Sequence, residues 1–282
     1  MNESMLTKQL LRQVAPMGKG AREVLEKLQA SRVPGDPAFS FAPPEAGAKG
    51  TLYLALDDRA FEDLRMRGIP CACVLPEKGD APDFSGAKVL VSTPWDIDAA
   101  DFERIYRRLY HLPWIIEETP RLYLREMTLQ DLPALYACYD EVAKRYLPPL
   151  SEDREEEKKI LAAYIEKVYG LAGYGYWAVI EKKTLELVGR AGFGVPGSAS
   201  APAEIGYLIR KDRRGQGYAR EAVQAALSYE RRVLQFPGVA AKTAKDNLPS
   251  RRLLLSLGFS ELPEEEDGIC RYALFPNPAA VE

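Results

Sequence analysis

The sequence predicts an α+β protein, with a mixed-sheet domain over residues 119–282 preceded by a smaller α/β domain over residues 1–118. Three observations carry this expectation. Short apolar, β-prone runs alternate with amphipathic segments along the chain, the pattern of layered strands and helices. The stretch Ile205–Arg232, IGYLIRKDRRGQGYAREAVQAALSYERR, reads as strand, glycine loop and helix in direct succession. Leu112–Pro120, LPWIIEETP, reads as a linker, after which a new pattern begins at Arg121.

Composition narrows the function classes. The chain has 282 residues, 46% apolar and 28% charged, with a net charge of −3. That balance is ordinary for a globular protein and gives no basic field for nucleic acid. No apolar run approaches the ~20 residues that span a bilayer. The opening MNESMLTKQLLRQV lacks the basic flank and apolar core of a signal peptide. With four cysteines and one histidine, His111, there is little material for a zinc site or a Ser-His-Asp triad. Cys71 and Cys73 lie two apart in an apolar run, hence on one strand face, and read as core. The expectation is a reduced, cytoplasmic protein without metal or membrane partner.

Within residues 1–118, Leu6–Val14 and Ala21–Ala30 read as two short helices broken by Ala15-Pro16-Met17-Gly18. Residues 33–50 are rich in Pro, Gly and Ala and read as an irregular connection. Thr51–Leu56, Pro70–Leu75 and Lys88–Ser92 are strand candidates. Asp57 or Asp58 suits the cap of a helix running to Arg67, and Asp101–Tyr110 is a further helix.

From Arg121 the expected order is β-α-α-β-β-β-α-β-α-β. Arg121–Met127 alternates as a strand. Leu129–Tyr146 is a helix capped by Thr128, and a second helix runs from Ser151 to about Leu171. Tyr176–Ile180 and Leu187–Phe193 form a hairpin. After the strand Ile205–Ile209 and its helix come a strand at Val239–Ala244, a helix at Asn247–Leu257 closed by Gly258, and a last strand at Cys270–Phe275. The glycine loop makes an anion site. The first amides of a helix have no intrahelical partner and sit at the positive end of its dipole. Gly215 and Gly217 admit a ligand close to the backbone, and Arg210, Arg213 and Arg214 surround this end.

The loop is neither GxGxxG, since Arg220 stands where a third glycine would, nor a P-loop. Arg214-Gly215-Gln216-Gly217-Tyr218-Ala219 resembles the Arg/Gln-x-x-Gly-x-Gly/Ala motif of GNAT-type N-acetyltransferases, which holds the pyrophosphate of acetyl-CoA. The resemblance covers residues 119–282 and implies the GNAT mixed-sheet fold. Two details, the opening ETPRLYLREMT and Asn247 and Ser250 ahead of Leu257-Gly258-Phe259, resemble the ribosomal-protein alanine N-acetyltransferase branch. It implies acetyl transfer to a primary amine, either a protein N-terminus or a small amine, without an acyl-enzyme. It also implies that acetyl-CoA is held by Tyr207, Leu208 and Ile209 on a splayed strand edge, by Arg214 to Ala219, and by Asn247. A backbone N–H at the splay is expected to polarise the thioester carbonyl. Glu204 is the candidate base, or the start of a water relay. Many members carry a tyrosine acid on the last helix; here that position is Leu254, and Ser250 is the substitute.

Two other readings compete. A GNAT-like module that holds acyl-CoA as a signal, without turnover, is the alternative function. TLYLALDD with its following helix weakly resembles part of the haloacid dehalogenase-like fold, but Asp57 and Asp58 are adjacent, so the Asp-x-Asp nucleophile pattern is missing. The acceptor loops, residues 147–155 and 196–202, carry no recognisable code. Glu261, Glu264, Glu265, Glu266 and Asp267 are a candidate attractor for a cationic amine, and otherwise a solvated loop.

Overall fold

The computed structural model describes residues 7–31, 40–41, 49–198, 201–263 and 268–275. The chain divides into two compact units, Met1–Trp114 and Ile115–Glu282.

The first unit is built on a five-stranded sheet. Its strands are β1 (Gln13–Met17), β2 (Ser40–Phe41), β3 (Thr51–Ala55), β4 (Cys71–Val74) and β5 (Leu90–Val91), in the order β2-β1-β3-β4-β5, and every pairing is parallel. A parallel sheet covered on both faces reads as continuous apolar runs, and all five residues of TLYLA and all four of CACV are buried. Helices α1 (Ala21–Ala30) and α3 (Ala99–Leu109) cover one face, where Leu28, Phe102 and Tyr106 meet Val14, Leu52 and Leu54. Helix α2 (Asp58–Met66) covers the other through Phe61 and Leu64, against Tyr53, Cys71 and Cys73. Both cysteines are free and buried, as core residues. Asp57 caps α2, accepting from the Ala60 amide at 2.8 Å, and its second oxygen accepts from the Lys19 amide at 2.6 Å.

Of the helix expected over Leu6–Val14, Thr7 alone is helical among the described residues, and Gln13–Met17 is a strand. Burial decides this. Val14 and Ala15 are wholly buried, one on each face of the sheet, so extended backbone satisfies both cores where a helix would serve one. Pro16 is tolerated because the described part of β2 pairs only with Gln13 and Val14.

The second unit carries an eight-stranded sheet in the order β12-β13-β11-β10-β9-β8-β7-β6. The strands are β6 (Ile115–Glu118), β7 (Leu122–Arg125), β8 (Tyr176–Glu181), β9 (Leu187–Phe193), β10 (Ala203–Ile209), β11 (Val239–Ala244), β12 (Ser260–Glu261) and β13 (Ile269–Leu274). Among the described residues all pairings are antiparallel except β10 with β11. The helices are α4 (Leu132–Cys138), α5 (Glu141–Tyr146), α6 (Arg154–Tyr164), α7 (Tyr218–Tyr229) and α8 (Leu248–Ser256). Helix α7 lays Ala222, Val223, Ala226 and Leu227 into the core, and Tyr229 meets Trp177 edge-on at 5.4 Å. On the other face of the sheet a bidentate Arg125–Asp131 pair, with bonds of 2.7 and 2.6 Å, is buried.

Three expectations are corrected here. Leu112–Pro120 is not a bare linker, because Ile115–Glu118 pairs with β7 and buries Ile116. The helix expected over Leu129–Tyr146 is a short 3₁₀ turn followed by α4 and α5. It breaks at Asp140, whose carboxylate caps α5 at the Ala143 amide, 2.9 Å away. The next helix starts at Arg154, capped by Asp153 rather than Ser151, and ends in a π-helical stretch, Ile165–Ala172.

Strand β6 gives a test. A fragment of residues 112–282 should unfold cooperatively in urea. One beginning at 119 loses β6 and the burial of Ile116, and should be less stable by about 2 kcal/mol. Equal midpoints would mean that β6 adds nothing to the sheet.

Candidate active site

Strands β10 and β11 run side by side for only two residue pairs, Ala203↔Val239 and Glu204↔Ala240. Beyond them the strands part. The Arg210 amide donates to Val188 and the Glu204 carbonyl accepts from Gly194, so the backbone polar groups of even-numbered residues face β9. Those of Ile205, Tyr207 and Ile209 therefore face the gap. A cleft of ≈ 1220 Å³ opens there, lined among others by Glu204–Ile209, Gly215, Gly217, Ala241–Ala244, Asn247 and Ser250. Its size exceeds the ~300–1,000 Å³ of usual small-ligand pockets.

The glycine loop closes one end. Gly215 and Gly217 have φ of 73° and 82°, left-handed values that favour glycine. Gly217 is the N-cap of α7, and the Glu221 amide donates to its carbonyl at 3.1 Å. No hydrogen bond among the described residues uses the amides of Gly215, Gln216, Gly217 or Tyr218. The three arginines expected around this end are all engaged with carboxylates. Arg210 pairs with Asp212 and Glu186, Arg213 with Glu181 and Asp212, and Arg214 with Asp140 in two bonds of 2.9 and 2.8 Å. Arg214 also donates to the Ile209 carbonyl at 2.8 Å. Its bonds hold the Asp140 carboxyl below the usual carboxylate range, with burial opposing. Arg121 braces the loop from the other side, bonding the Gln216 carbonyl at 3.0 Å and Glu221 at 2.6 Å. The loop thus presents backbone amides, with the arginines as their frame.

The remaining candidates fall as follows. Tyr207 and Ile209 present their amides to the gap. Leu208 turns its backbone to β9 and lines the cleft by its side chain, so its place among the edge amides is corrected by strand alternation. Tyr218 and Ala219 open α7 beside the loop. Asn247 caps α8 and accepts from the Ser250 amide at 3.4 Å, so its oxygen serves the helix rather than a ligand backbone. Ser250 Oγ lies 2.8 Å from the Tyr207 hydroxyl. Burial pushes the Tyr207 phenol up, and the Ser250 bond draws it partly back. Leu254 is buried in the core, away from any acid role. Glu204 lies within β10 rather than before it, and its carboxylate meets the Lys242 ammonium at 2.9 Å. Both side chains are well exposed, so the pair is worth little, of order 0–1 kcal/mol. Glu261 pairs with Arg251 at 3.2 Å, and Glu264, Glu265, Glu266 and Asp267 lie outside the described residues.

The sequence reading missed the hydroxyl of Tyr207, the loop clamps Asp140 and Arg121, and the surroundings of Glu204. None lies in a motif. The one usable signal was Asp140 ahead of Glu141-Val142-Ala143, an N-cap pattern inside an apparent helix.

The comparisons agree with this geometry. Residues 121–260 match the family model described as Acetyltransferase (GNAT) domain. The chain is 32% identical over 167 residues to the uncharacterized N-acetyltransferase YoaA of Bacillus subtilis (strain 168), covering 57% of this chain and 89% of that one. It is 33% identical over 146 residues to the uncharacterized N-acetyltransferase p20 of Bacillus licheniformis, covering 51% and 81%. Among solved structures, the fold is similar to RimL, a ribosomal L7/L12 alpha-N-protein acetyltransferase in complex with coenzyme A. There the TM-score is 0.50 and the identity 22%, over 57% of this chain and 97% of that one. It is likewise similar to the ribosomal-protein-S5-alanine acetyltransferase of Vibrio fischeri, with a TM-score of 0.51 and 16% identity over 57% and 97%. No described helix is long and apolar enough to cross a membrane. A strand pair that parts beneath a loop of unbonded amides, in a chain with these relatives, identifies the protein as a member of the GNAT acetyltransferase family and an acyltransferase.

Proposed function

We propose that this acyltransferase moves an acetyl group from acetyl-CoA to the primary amine of a protein N-terminus or a small molecule, by direct transfer. The observation that carries the reading is the parting of β10 and β11 directly beside the free amides of the glycine loop. The residues present suit acetyl-CoA. The loop amides and the N-terminus of α7 suit a pyrophosphate. The Ile205 carbonyl, the Tyr207 amide and carbonyl and the Ile209 amide suit an amide-rich arm, because an unpaired strand edge seeks donors and acceptors. When bound, acetyl-CoA supplies a thioester carbonyl and a thiolate leaving group. The likeness to ribosomal-protein acetyltransferases supports a protein N-terminus as one acceptor class.

The chain's own residues divide the proton work. Glu204 Oε takes the proton of the acceptor ammonium, directly or through water, since an alkyl amine is mostly protonated at neutral pH. A gap amide of β10 polarises the carbonyl. Ser250 Oγ donates to the departing sulfur and is reprotonated by the Tyr207 hydroxyl. This pair takes the place of the tyrosine that Leu254 replaces. Burial keeps Tyr207 protonated past its ordinary range near 10, so the relay persists across neutral and mildly alkaline pH. The unit Met1–Trp114 is a separate domain, its Asp57 serving as a helix cap.

Steady-state thiol release with an amine panel tests the whole reading. Acetyl-CoA binding without thiol release on any amine would instead favour a regulatory module. For the base, Glu204→Gln should lower kcat/KM most near pH 7, by about 10²-fold, and recover as pH rises and free amine forms unaided. A loss that is flat with pH would remove the base role. For the acid, Ser250→Ala and Tyr207→Phe should each lower kcat at every pH below 10, and the double variant should be no worse than Ser250→Ala. Additive losses would sever the relay.

For the loop, Asp140→Asn keeps the cap of α5 but loses the Arg214 pair. That pair is partly exposed, 20% and 31% for the two side chains, and is worth about 1 kcal/mol after screening. The acetyl-CoA Kd at pH 7 should rise about fivefold. Because the Asp140 carboxyl is depressed, the pair's contribution is present above about pH 4 and lost only as pH falls through the lower folded value. The difference between wild type and variant should therefore be constant from pH 6 to 9 by calorimetry. A difference that changes across this range would assign the effect to another group.

A further inference from the structure

Arg190 is placed differently from the arginines that frame the glycine loop. Its guanidinium makes no hydrogen bond and no ion pair among the described residues, whereas Arg210, Arg213, Arg214 and Arg121 each hold a carboxylate. Arg252 also lines the cleft without such a bond, but it is exposed. The Arg190 guanidinium lies instead against two aromatic rings, 5.4 Å from the ring centre of Tyr139 and 5.3 Å from that of Tyr176. It is half-buried and lines the cleft. A half-buried cation without a counter-charge is costly to maintain. Contact with two rings restricts where the guanidinium can go, and its planar fork is the group that grips a carboxylate in two bonds.

Register puts Arg190 on the acceptor side. Arg190 is opposite Leu208, and Gly192 is opposite both Gly206 and Tyr176. Direct partners share a face, so Glu204, Gly206, Arg190 and Tyr176 project together. Trp177, one residue on, projects the other way and meets Tyr229 of α7. Arg190 and Glu204 therefore lie on the face opposite α7 and its glycine loop. The Tyr176 ring lies across Gly206, where an added Cβ would come within 2.9 Å of it, and so leads from Arg190 toward Glu204. Glu204 itself is engaged with Lys242 and leaves Arg190 without a partner.

Resting on the transferase reading of this cleft, we propose that Arg190 is a specificity residue that binds a carboxylate of the acceptor, so that the preferred substrates are amines carrying a carboxylate near the reacting nitrogen. The carboxylate has two sources, the free α-carboxylate of an amino acid or an acidic side chain next to a peptide N-terminus.

The test uses the full chain, as wild type, Arg190→Gln and Arg190→Lys, with two matched acceptor pairs. One pair is a short peptide beginning Ser-Asp and its Ser-Asn counterpart; the other is glycine and glycinamide. Acceptor Kd is measured by calorimetry with coenzyme A present, and KM by thiol release. Wild type should favour the acidic member of at least one pair by about tenfold or more, and the pair that responds names the source of the carboxylate. Arg190→Gln should bring that preference to within about twofold. Arg190→Lys, which keeps the charge but not the planar fork, should retain only part of it, and serves as the measure should the Gln variant not fold. Neutral and acidic acceptors binding wild type alike would overturn the proposal, as would a full preference surviving in either variant. A raised acetyl-CoA Kd in Arg190→Gln, with both acceptors weakened equally, would assign the residue to the cofactor or the fold and also overturn it. If acetyl-CoA does not bind wild type at all, the transferase reading falls, while acceptor calorimetry still decides the role of Arg190.

Discussion

The second unit depends on one interruption: β10 and β11 share two residue pairs and then diverge. A strand edge with unpaired donors and acceptors is unstable in a sheet interior and must be met by water or ligand. Here the edge lies in the middle of an eight-stranded sheet, not at its border. The flanking strands make the divergence permanent. Strand β10 is held to β9 over five pairs and β11 to β13 over six, so neither can lean across to close the gap. Helix α7 and its glycine loop, which connect the two strands, open at the mouth of the same gap.

Electrostatic economy shapes the loop. Its arginines would compete for a bound anion if free, but each is tied to a carboxylate on another element: Asp140 ahead of α5, Glu181 on β8, Glu186 before β9. These bonds fix the positions of the loop amides from three directions, and Arg121 adds a fourth through Gln216 and Glu221. The net result is a set of fixed dipoles, which would need little reorganisation if negative charge arrived there. Arg190, in contact with two tyrosine rings on the opposite face, is arranged differently from this frame.

The two units show how differently apolar runs are used. In the first, CACV and TLYLA are buried on both faces of a parallel sheet, and the adjacent Asp57 and Asp58 sit at a helix start with Asp57 bonded to two amides. In the second, β10 is half open, and alternation gives its odd-numbered backbone to the cleft and turns the Glu204 side chain to the face opposite α7. A tyrosine on β10, Tyr207, reaches across to Ser250 of α8, so the two walls of the cleft meet in one hydroxyl pair.

By itself the sequence determined the elements whose signal is local. The strand, glycine loop and helix from Ile205 onward were legible because positive-φ glycines and helical apolar spacing are written within a few residues. The hairpin of β8 and β9, the cap at Asp57 and the family motif were legible for the same reason. Tertiary structure decided what depends on distant partners. It made a strand of Gln13–Met17, because two buried faces favour extended chain. It drew Ile115–Glu118 into the sheet, because β7 offered an edge. It broke the helix at Asp140, whose carboxylate serves Arg214, 74 residues away. It turned Leu208 away from the gap and brought Tyr207 to Ser250, because both follow from strand register, which no single stretch of sequence contains.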